Sequence, residues 1–270
     1  MTRCSLHNHT DFADGRDTAE AMAAAAFKLG CTSFGISEHA PQPFDPSGGI
    51  KEGYKQIYID TMQKLREQYQ ERMQVWCGIE QELYAPMYDD VYDYVIGSVH
   101  YVSRGGIYVP VDRSREEFIQ AVGEVWRGDA IRFAEDFYRL TAELPQVFAY
   151  DIVGHFDLIT KYNEDDCLFS TQDMRYRDAA MSALTELVKQ DKIFEINSGA
   201  ISRGHRKTPY PQPWIIRELH ARGARIILSS DAHAAENIFF GFEEMKELIY
   251  SCGYRDLTVF RDGQWVQESI

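Results

Sequence analysis

A short apolar run recurs seven times in this chain of 270 residues, at Cys4–His7, Ser33–Ser37, Val75–Glu80, Tyr94–His100, Ile152–His155, Ile193–Asn197 and Arg225–Ser230. The runs are nearly continuous in Val, Ile, Phe and other apolar residues rather than alternating, the signature of strands buried on both faces. Between them lie longer amphipathic stretches that predict helices over Thr18–Leu29, Tyr54–Glu71, Arg115–Trp126, Ala130–Glu143, Gln172–Gln190 and Pro213–Arg222. In the Gln172–Gln190 stretch, Ala183, Leu184, Leu187 and Val188 form an apolar stripe at helical spacing. Strands alternating with helices imply parallel βαβ units with right-handed crossovers. Seven such strands without a linker or repeat predict one α/β domain over residues 1–270, a closed or nearly closed barrel. Asp262-Gly263, between two apolar runs in Leu257–Gln267, adds a small C-terminal hairpin.

The ends of these runs carry the chemistry. The first ends in His7-Asn8-His9, the second in Glu38-His39, the third in Glu80, the fourth in His100, the fifth in His155 and the seventh in Asp231-Ala232-His233. In a parallel barrel the C-terminal ends of separate strands converge on one rim, where active sites are built. Six of the eight histidines fall there. One histidine at a strand end is most simply a hydrogen-bonded structural group, but an apolar strand has no structural need to finish this way repeatedly. Imidazoles and carboxylates buried together leave uncompensated polar groups unless a cation organises them. The mixture suits Zn²⁺, Mn²⁺ or Fe²⁺, with no cysteine placed to compete. Residues i and i+2 of an extended segment point the same way, so His7 and His9 can grip one ion while Asn8 faces elsewhere.

Composition narrows the partners. With 42 acidic and 28 basic side chains the formal net charge is −14, which excludes the broad Lys/Arg surface of a general nucleic-acid binder. An anionic substrate must be held locally, by a few basic side chains or by bound cations. Five cysteines without C-x-x-C spacing fit a reduced compartment. The opening MTRCSLHNHTD lacks an apolar signal core, and Ala19–Leu29 is too short and too interrupted by Glu20 and Lys28 to span a bilayer. A soluble cytoplasmic protein without a membrane partner is the expectation.

His7-Asn8-His9-Thr10, Asp14-Gly15, Ser37-Glu38-His39-Ala40, Gly78-Ile79-Glu80, Ser98-Val99-His100, Gly154-His155 and Ser230-Asp231-Ala232-His233 together resemble the polymerase and histidinol phosphatase (PHP) family. Glu195-Ile196-Asn197-Ser198, followed by Arg206-Lys207, Tyr210-Pro211 and Pro213, is most similar to its histidinol-phosphate phosphatases. The resemblance implies a distorted (β/α)7 TIM-like barrel with three divalent metal ions, Zn, Mn or Fe. It places one ion on His7, His9, Glu80 and Asp231, a second on Glu80, His100 and His155, and a third on Asp14, His39 and His233. Many relatives have histidine where this chain has Asp14; the harder carboxylate is expected either to shift that position toward Mn²⁺ or Fe²⁺ or to weaken it.

The implied reaction is metal-dependent hydrolysis of a small phosphate monoester, L-histidinol phosphate in histidine biosynthesis. A hydroxide formed between two cations roughly 3.5–4 Å apart attacks phosphorus in line, with Glu80, Asp231 and His233 as catalytic residues. The basic loop Ser202–Lys207 follows the sixth strand and is expected to overhang the rim, making Arg203 or Arg206 the phosphate clamp, with Lys207 and Asn197 as further substrate contacts. Glu38 and Asp157 are expected to orient ligating imidazoles or to cap helices. Phe44–Gly53, rich in Pro and Gly, reads as a lid or an ordinary crossover loop. Competing functions are a PHP phosphoesterase acting on another small ester or nucleotide, and a non-catalytic metal-binding regulatory module.

Overall fold

The computed structural model describes residues 2–87 and 90–270. In chain order the elements are β1 (Cys4–Ser5), α1 (Ala19–Lys28), β2 (Ser33–His39), α2 (Lys55–Tyr69), β3 (Gln74–Glu82), β4 (Tyr94–Ser98), β5 (Tyr101–Arg104), β6 (Ile107–Pro110), α3 (Arg115–Val125) and α4 (Ala130–Val147). There follow β7 (Ile152–Val153), α5 (Met174–Lys189), β8 (Ile193–Asn197), α6 (Gly199–Ser202), α7 (Pro213–Ala221), β9 (Arg225–Ser229), α8 (Phe242–Ser251), β10 (Asp256–Arg261) and β11 (Gln264–Ser269). The helices start where side chains can take up free amide groups: Thr18, Ser114, Asp129 and Asp173 each accept from a backbone N–H of the first turn.

Seven parallel strands form one sheet in the order β1-β2-β3-β4-β7-β8-β9. Beyond the last strand, a parallel bridge pairs Asn8 with Ala232; His9 N donates to Ala232 O at 2.9 Å and Ala232 N to His7 O at 3.3 Å. The first and last strands therefore meet at the rim, and the sheet is a nearly closed barrel, as the sequence predicts.

Strand alternation explains how one chain makes both a core and a site. Cys4, Leu6, Tyr94, Ile96, Ile152, Ile193 and Ile227 cluster inside the barrel, while Phe34, Ile36, Phe194, Ile226 and Leu228 belong to the layer shared with the helices. Along β8 the inward face reads Ile193, Glu195, Asn197, so the interior turns from apolar to polar toward the rim. The Tyr94 ring fills the space left by two glycines: a Cβ on Gly78 would lie 2.2 Å from it, and one on Gly35 2.4 Å from its hydroxyl. At the opposite end, β10 and β11 form the expected hairpin around Asp262-Gly263 and close the floor. Val259 and Phe260 join the interior cluster, and Ser33 Oγ donates to Phe260 O at 2.5 Å.

Three features depart from the sequence reading. The fourth run ends at Ser98, and residues after His100 turn back as an antiparallel hairpin, β5–β6, on the rim. α8 adds a helix that the sequence reading leaves out, and α4 runs on to Val147 through Pro145. Pro145 is tolerated because it sits in the last turn, where the loss of one N–H costs a single intrahelical bond. Among the described residues no helix is long and apolar enough to cross a membrane.

Candidate metal centre

Glu80 sits in mid-barrel on β3, in register with His39 of β2, and it gathers the histidines around itself. Its Oε2 lies 2.9 Å from His39 Nδ1, 3.2 Å from His7 Nε2 and 3.5 Å from His9 Nε2. Its Oε1 lies 2.8 Å from His155 Nε2 and 3.4 Å from His100 Nε2. Asp231 approaches from the far side of the barrel seam, with Oδ1 3.3 Å from His9 Nε2 and 3.7 Å from His7 Nε2. Asp14 closes the outer edge, 3.3 Å from His233 Nε2 and 3.7 Å from His39 Nε2. The structure thus brings His7, His9, Asp14, His39, Glu80, His100, His155, Asp231 and His233 into one continuous cluster. His39 is shared, one ring nitrogen facing Glu80 and the other Asp14.

Local structure fixes these orientations. Asn8 turns away from its neighbours, its Nδ2 donating to Gly35 O at 2.7 Å, so His7 and His9 face the same way. Glu195 receives His7 Nδ1 at 2.7 Å and the backbone N–H of His155 at 2.5 Å. Glu82 does the same for His100, accepting its backbone N–H at 2.7 Å and pairing with Nδ1 at 3.0 Å. Such carboxylate partners hold an imidazole with its other nitrogen free to ligate. Asp231 adopts a positive φ of 47°, a strained conformation for a non-glycine residue. Gly199 leaves it room: a Cβ there would meet both Asp231 and Arg203 at 2.9 Å.

The electrostatics are those of a site built around positive charge. Burial opposes ionisation of Glu80, but His39, His7 and His100 outweigh it and hold its pKa well below the usual carboxylate range. Asp231 is depressed likewise, with Arg203 and His7 overcoming burial. For His9, burial and the charges of His233 and His39 push the imidazole down to about 3, so it stays neutral and able to donate a lone pair. His7 Nε2, both ring nitrogens of His9 and Glu80 Oε2 are buried without a hydrogen-bond partner. Buried polar atoms are rarely left so, and these are the ones a cation would use. Ligand atoms of three overlapping groups, His7-His9-Glu80, His39-Glu80-His100 and His9-Asp14-His39-His233, lie within 4.8 Å of one another. Imidazole and carboxylate donors at this spacing fit divalent first-row metals.

A model of the PHP domain family matches residues 5–199. The chain belongs to the PHP family. Among curated relatives, "Probable histidinol-phosphatase" of Deinococcus radiodurans is 28% identical over 94% of this chain and 95% of its own length. Histidinol-phosphatase of Bacillus subtilis is 23% identical over 92% of this chain and 99% of its own length. The solved histidinol phosphate phosphatase of Lactococcus lactis subsp. lactis, complexed with Zn, L-histidinol and phosphate, matches with a TM-score of 0.70 at 19% identity. That match covers 98% of this chain and 100% of the other, and shows the shared barrel.

The expected substrate residues of this PHP chain separate. Arg203 reaches the cluster: Nη2 donates to Asp231 Oδ2 at 3.1 Å, and Nη1 lies 3.0 Å from His233 Nδ1. Arg206 turns into the protein, where it donates to Thr160 and, at 2.8 Å, to Thr208, and lies 5.0 Å from the Tyr210 ring centroid. Lys207 is exposed and pairs with Asp165 at 3.1 Å on the surface, away from the cluster. Asn197 is fully buried; its amide donates to Glu195 at 2.8 Å and to Asp231 at 3.4 Å, and its oxygen accepts from Gly199 N, so it braces the strand end beside the cluster. The sequence pattern could not separate these residues, because only the turn after α6 sends Arg203 inward to Asp231.

Of the two expected orienting carboxylates, Glu38 lies 3.9 Å from His9 Nδ1 and accepts from Thr10 Oγ1. Asp157 instead accepts from Gln212 N at 3.0 Å and, among the described residues, pairs with no imidazole. Glu195 and Glu82 fill that role, and no local signal marks Glu82. The segment after β2 does overhang the rim, with Phe44 stacked on Tyr108 at 4.5 Å and packed edge-on against Tyr101 at 4.9 Å. A concavity of about 960 Å³, lined by Arg66, Trp76 and Arg261, lies at the other end of the barrel and is lined by no residue of the cluster.

Proposed function

We propose that this chain is a metal-dependent phosphatase that hydrolyses L-histidinol phosphate to L-histidinol and phosphate. The observation that carries the reading is Glu80, a single buried carboxylate whose two oxygens face five imidazoles within 3.5 Å. Names of relatives supply the substrate: curated proteins covered over more than nine-tenths of their length are named histidinol-phosphatase or probable histidinol-phosphatase.

The residues are read as holding three divalent ions, Zn, Mn or Fe. His7, His9, Glu80 and Asp231 would hold one, Glu80, His100 and His155 a second, and Asp14, His39 and His233 a third. When bound, such ions polarise phosphoryl oxygens and lower the pKa of water so that a nucleophile forms near neutral pH. The chain's own groups do the rest. Asp231, kept anionic by Arg203 and His7, turns Oδ1 to the same point as His7 and His9 and would ligate there. Arg203, about one-quarter exposed, offers the N–H groups not spent on Asp231 to a phosphate oxygen. Glu195 and Glu82 hold His7 and His100 in one orientation through the reaction.

Hydrolysis of L-histidinol phosphate by freshly purified protein, with and without chelator, tests this directly alongside metal analysis. Chelator-sensitive phosphate release is expected. Asp231→Asn should abolish turnover and reduce metal content; a variant retaining both its rate and its metal would overturn the assignment.

A further inference from the structure

The concavity at the floor end of the barrel, about 960 Å³, lies between the C-terminal end of α2 and the β10–β11 hairpin, with the start of β3 along its base. Its two walls are tied together. Gln74 Oε1 accepts from the backbone N–H of Asp262 at 3.0 Å, and Gln74 Nε2 donates to Asp262 Oδ1. Pockets for small ligands span ~300–1,000 Å³, so this groove has room for more than a lone oxyanion.

Three arginines line it, and none is used up. Arg66 donates through Nε to Val75 O at 2.9 Å and through Nη2 to Asp93, while Arg261 donates through Nη1 to Glu268 at 2.6 Å. Among the described residues, Nη1 of Arg66 and Nη2 of Arg261 have no partner. Arg72 has no carboxylate partner among them; its Nη2 donates to Gln68 O at 2.6 Å. The acids of the hairpin wall, by contrast, are committed. Glu268 accepts from Thr2 N on Oε2 and from Thr2 Oγ1 on Oε1, each at 2.6 Å, and Asp262 is held by Gln74.

Glu71, exposed next to Arg72, is a lining carboxylate with no partner among the described residues. Apolar surface comes from Met73, Val75 and the indole of Trp76. That indole is fixed, with Nε1 donating to Ser33 Oγ at 3.0 Å and the Phe260 ring 4.7 Å away. The groove thus combines guanidinium donors, one free carboxylate and a rigid aromatic edge. A bare polyanion gains nothing from Glu71, and an apolar ligand gains nothing from the arginines. A nucleotide uses all three, because phosphates suit guanidinium groups, ribose hydroxyls donate to a carboxylate, and a flat base packs against an aromatic side chain.

We propose that this groove binds a nucleoside diphosphate, with the phosphates on Arg66, Arg72 and Arg261, a ribose hydroxyl on Glu71 and the base against Trp76. No cluster residue lines the groove, so the ligand is held apart from the hydrolytic chemistry and the inference stands whatever ester the cluster cleaves.

The test is calorimetry on the zinc-loaded full chain with two probes, the α,β-methylene analogue of ADP, whose P–C bonds resist hydrolysis, and methylenediphosphonate, which lacks the nucleoside. Arg72→Glu and Glu71→Gln change exposed side chains and should leave the fold intact, as circular dichroism checks. Arg72→Glu should weaken both probes by about tenfold or more, from the loss of a charge-assisted contact. Glu71→Gln should weaken the nucleotide several-fold and not the diphosphonate, since removing a negative charge can only help a bare anion. Nucleotide binding unchanged in Arg72→Glu would place the probe on the metal cluster and overturn the site. Absence of nucleotide binding in the wild type overturns it as well. Methylenediphosphonate binding as tightly as the nucleotide, or nucleotide binding that tightens in Glu71→Gln, overturns the nucleoside diphosphate assignment.

Discussion

The guanidinium of Arg203 grips Asp231 twice, Nη2 at 3.1 Å from Oδ2 and Nη1 at 2.9 Å from the main-chain oxygen, and leaves Oδ1 turned to His7 and His9. One arginine thus sets the direction of a cluster carboxylate and remains partly open to a bound anion. Arg203→Ala is expected to lower kcat/KM by about 100-fold or more, from the loss of charge-assisted bonds to carboxylate and phosphate. Arg203→Lys should recover only a fraction, because an ammonium cannot keep both contacts at once. Steady-state kinetics on the two variants checks this.

Arg206 should behave in the opposite way. It is buried at 7% exposure, spends its guanidinium on Thr160 and Thr208, and lies beside Asp157. Arg206→Ala is expected to cost about 1–3 kcal/mol of unfolding free energy, read from urea melts, and to change kcat/KM only a few-fold. A variant of full stability that has lost activity would return Arg206 to the substrate site.

Metal loading should be coupled to protons. Burial disfavours the imidazolium of His39, but Glu80 and Asp14 outweigh it and raise the pKa to about 10 in the metal-free protein. The ring is then protonated at neutral pH and must release its proton before it can ligate. Metal uptake by the apoprotein at pH 7 is accordingly expected to release protons, and the affinity to weaken as pH falls. Calorimetric titrations in buffers of different ionisation enthalpy measure the proton count; uptake without proton release would contradict the coupling.

Gly78 and Tyr94 share one space inside the barrel. Gly78→Ala puts a methyl group where the ring now lies, at 2.2 Å, with strands on every side preventing retreat. A destabilisation of about 1–3 kcal/mol is expected from overpacking, measured as a lowered midpoint in thermal or denaturant unfolding.

The cysteines should react unequally. Burial pushes the Cys4 thiol up to about 11 and those of Cys31 and Cys77 to about 12, so none forms appreciable thiolate at pH 8. Cys252 is buried as well, whereas Cys167 is exposed. A maleimide should therefore label native protein once, at Cys167, and unfolded protein five times, as read by intact mass.

Much of the site was legible because the barrel converts sequence ends into spatial neighbours. Each strand is short and apolar, so a histidine or acid at its C-terminal end has only the rim to occupy, and all nine expected donors meet there. What the sequence concealed depends on partners distant in the chain. Glu195 holds His7 across 188 positions, and nothing around Glu195 announces that contact. Arg203, Arg206 and Lys207 are alike as letters; a four-residue helix after β8 and the turn behind it decide which one faces the cluster. The β5–β6 hairpin leaves little periodic signal because its strands are only four residues each, around Gly105-Gly106. The spacing of Phe242, Met245 and Ile249, all buried in α8, is a helical period that the sequence carries openly.

The floor formed by β10 and β11 gives the biosynthesis of this molecule a definite order. The last cluster residue, His233, precedes Asp256, where the floor begins. A chain emerging from the ribosome therefore exposes every imidazole and acid of the rim while Leu6, Tyr94 and Ile227 are still wet from below. Only when residues 256–269 are released can the hairpin seat Val259 and Phe260 beneath them, so the floor is laid after every strand of the sheet has been made.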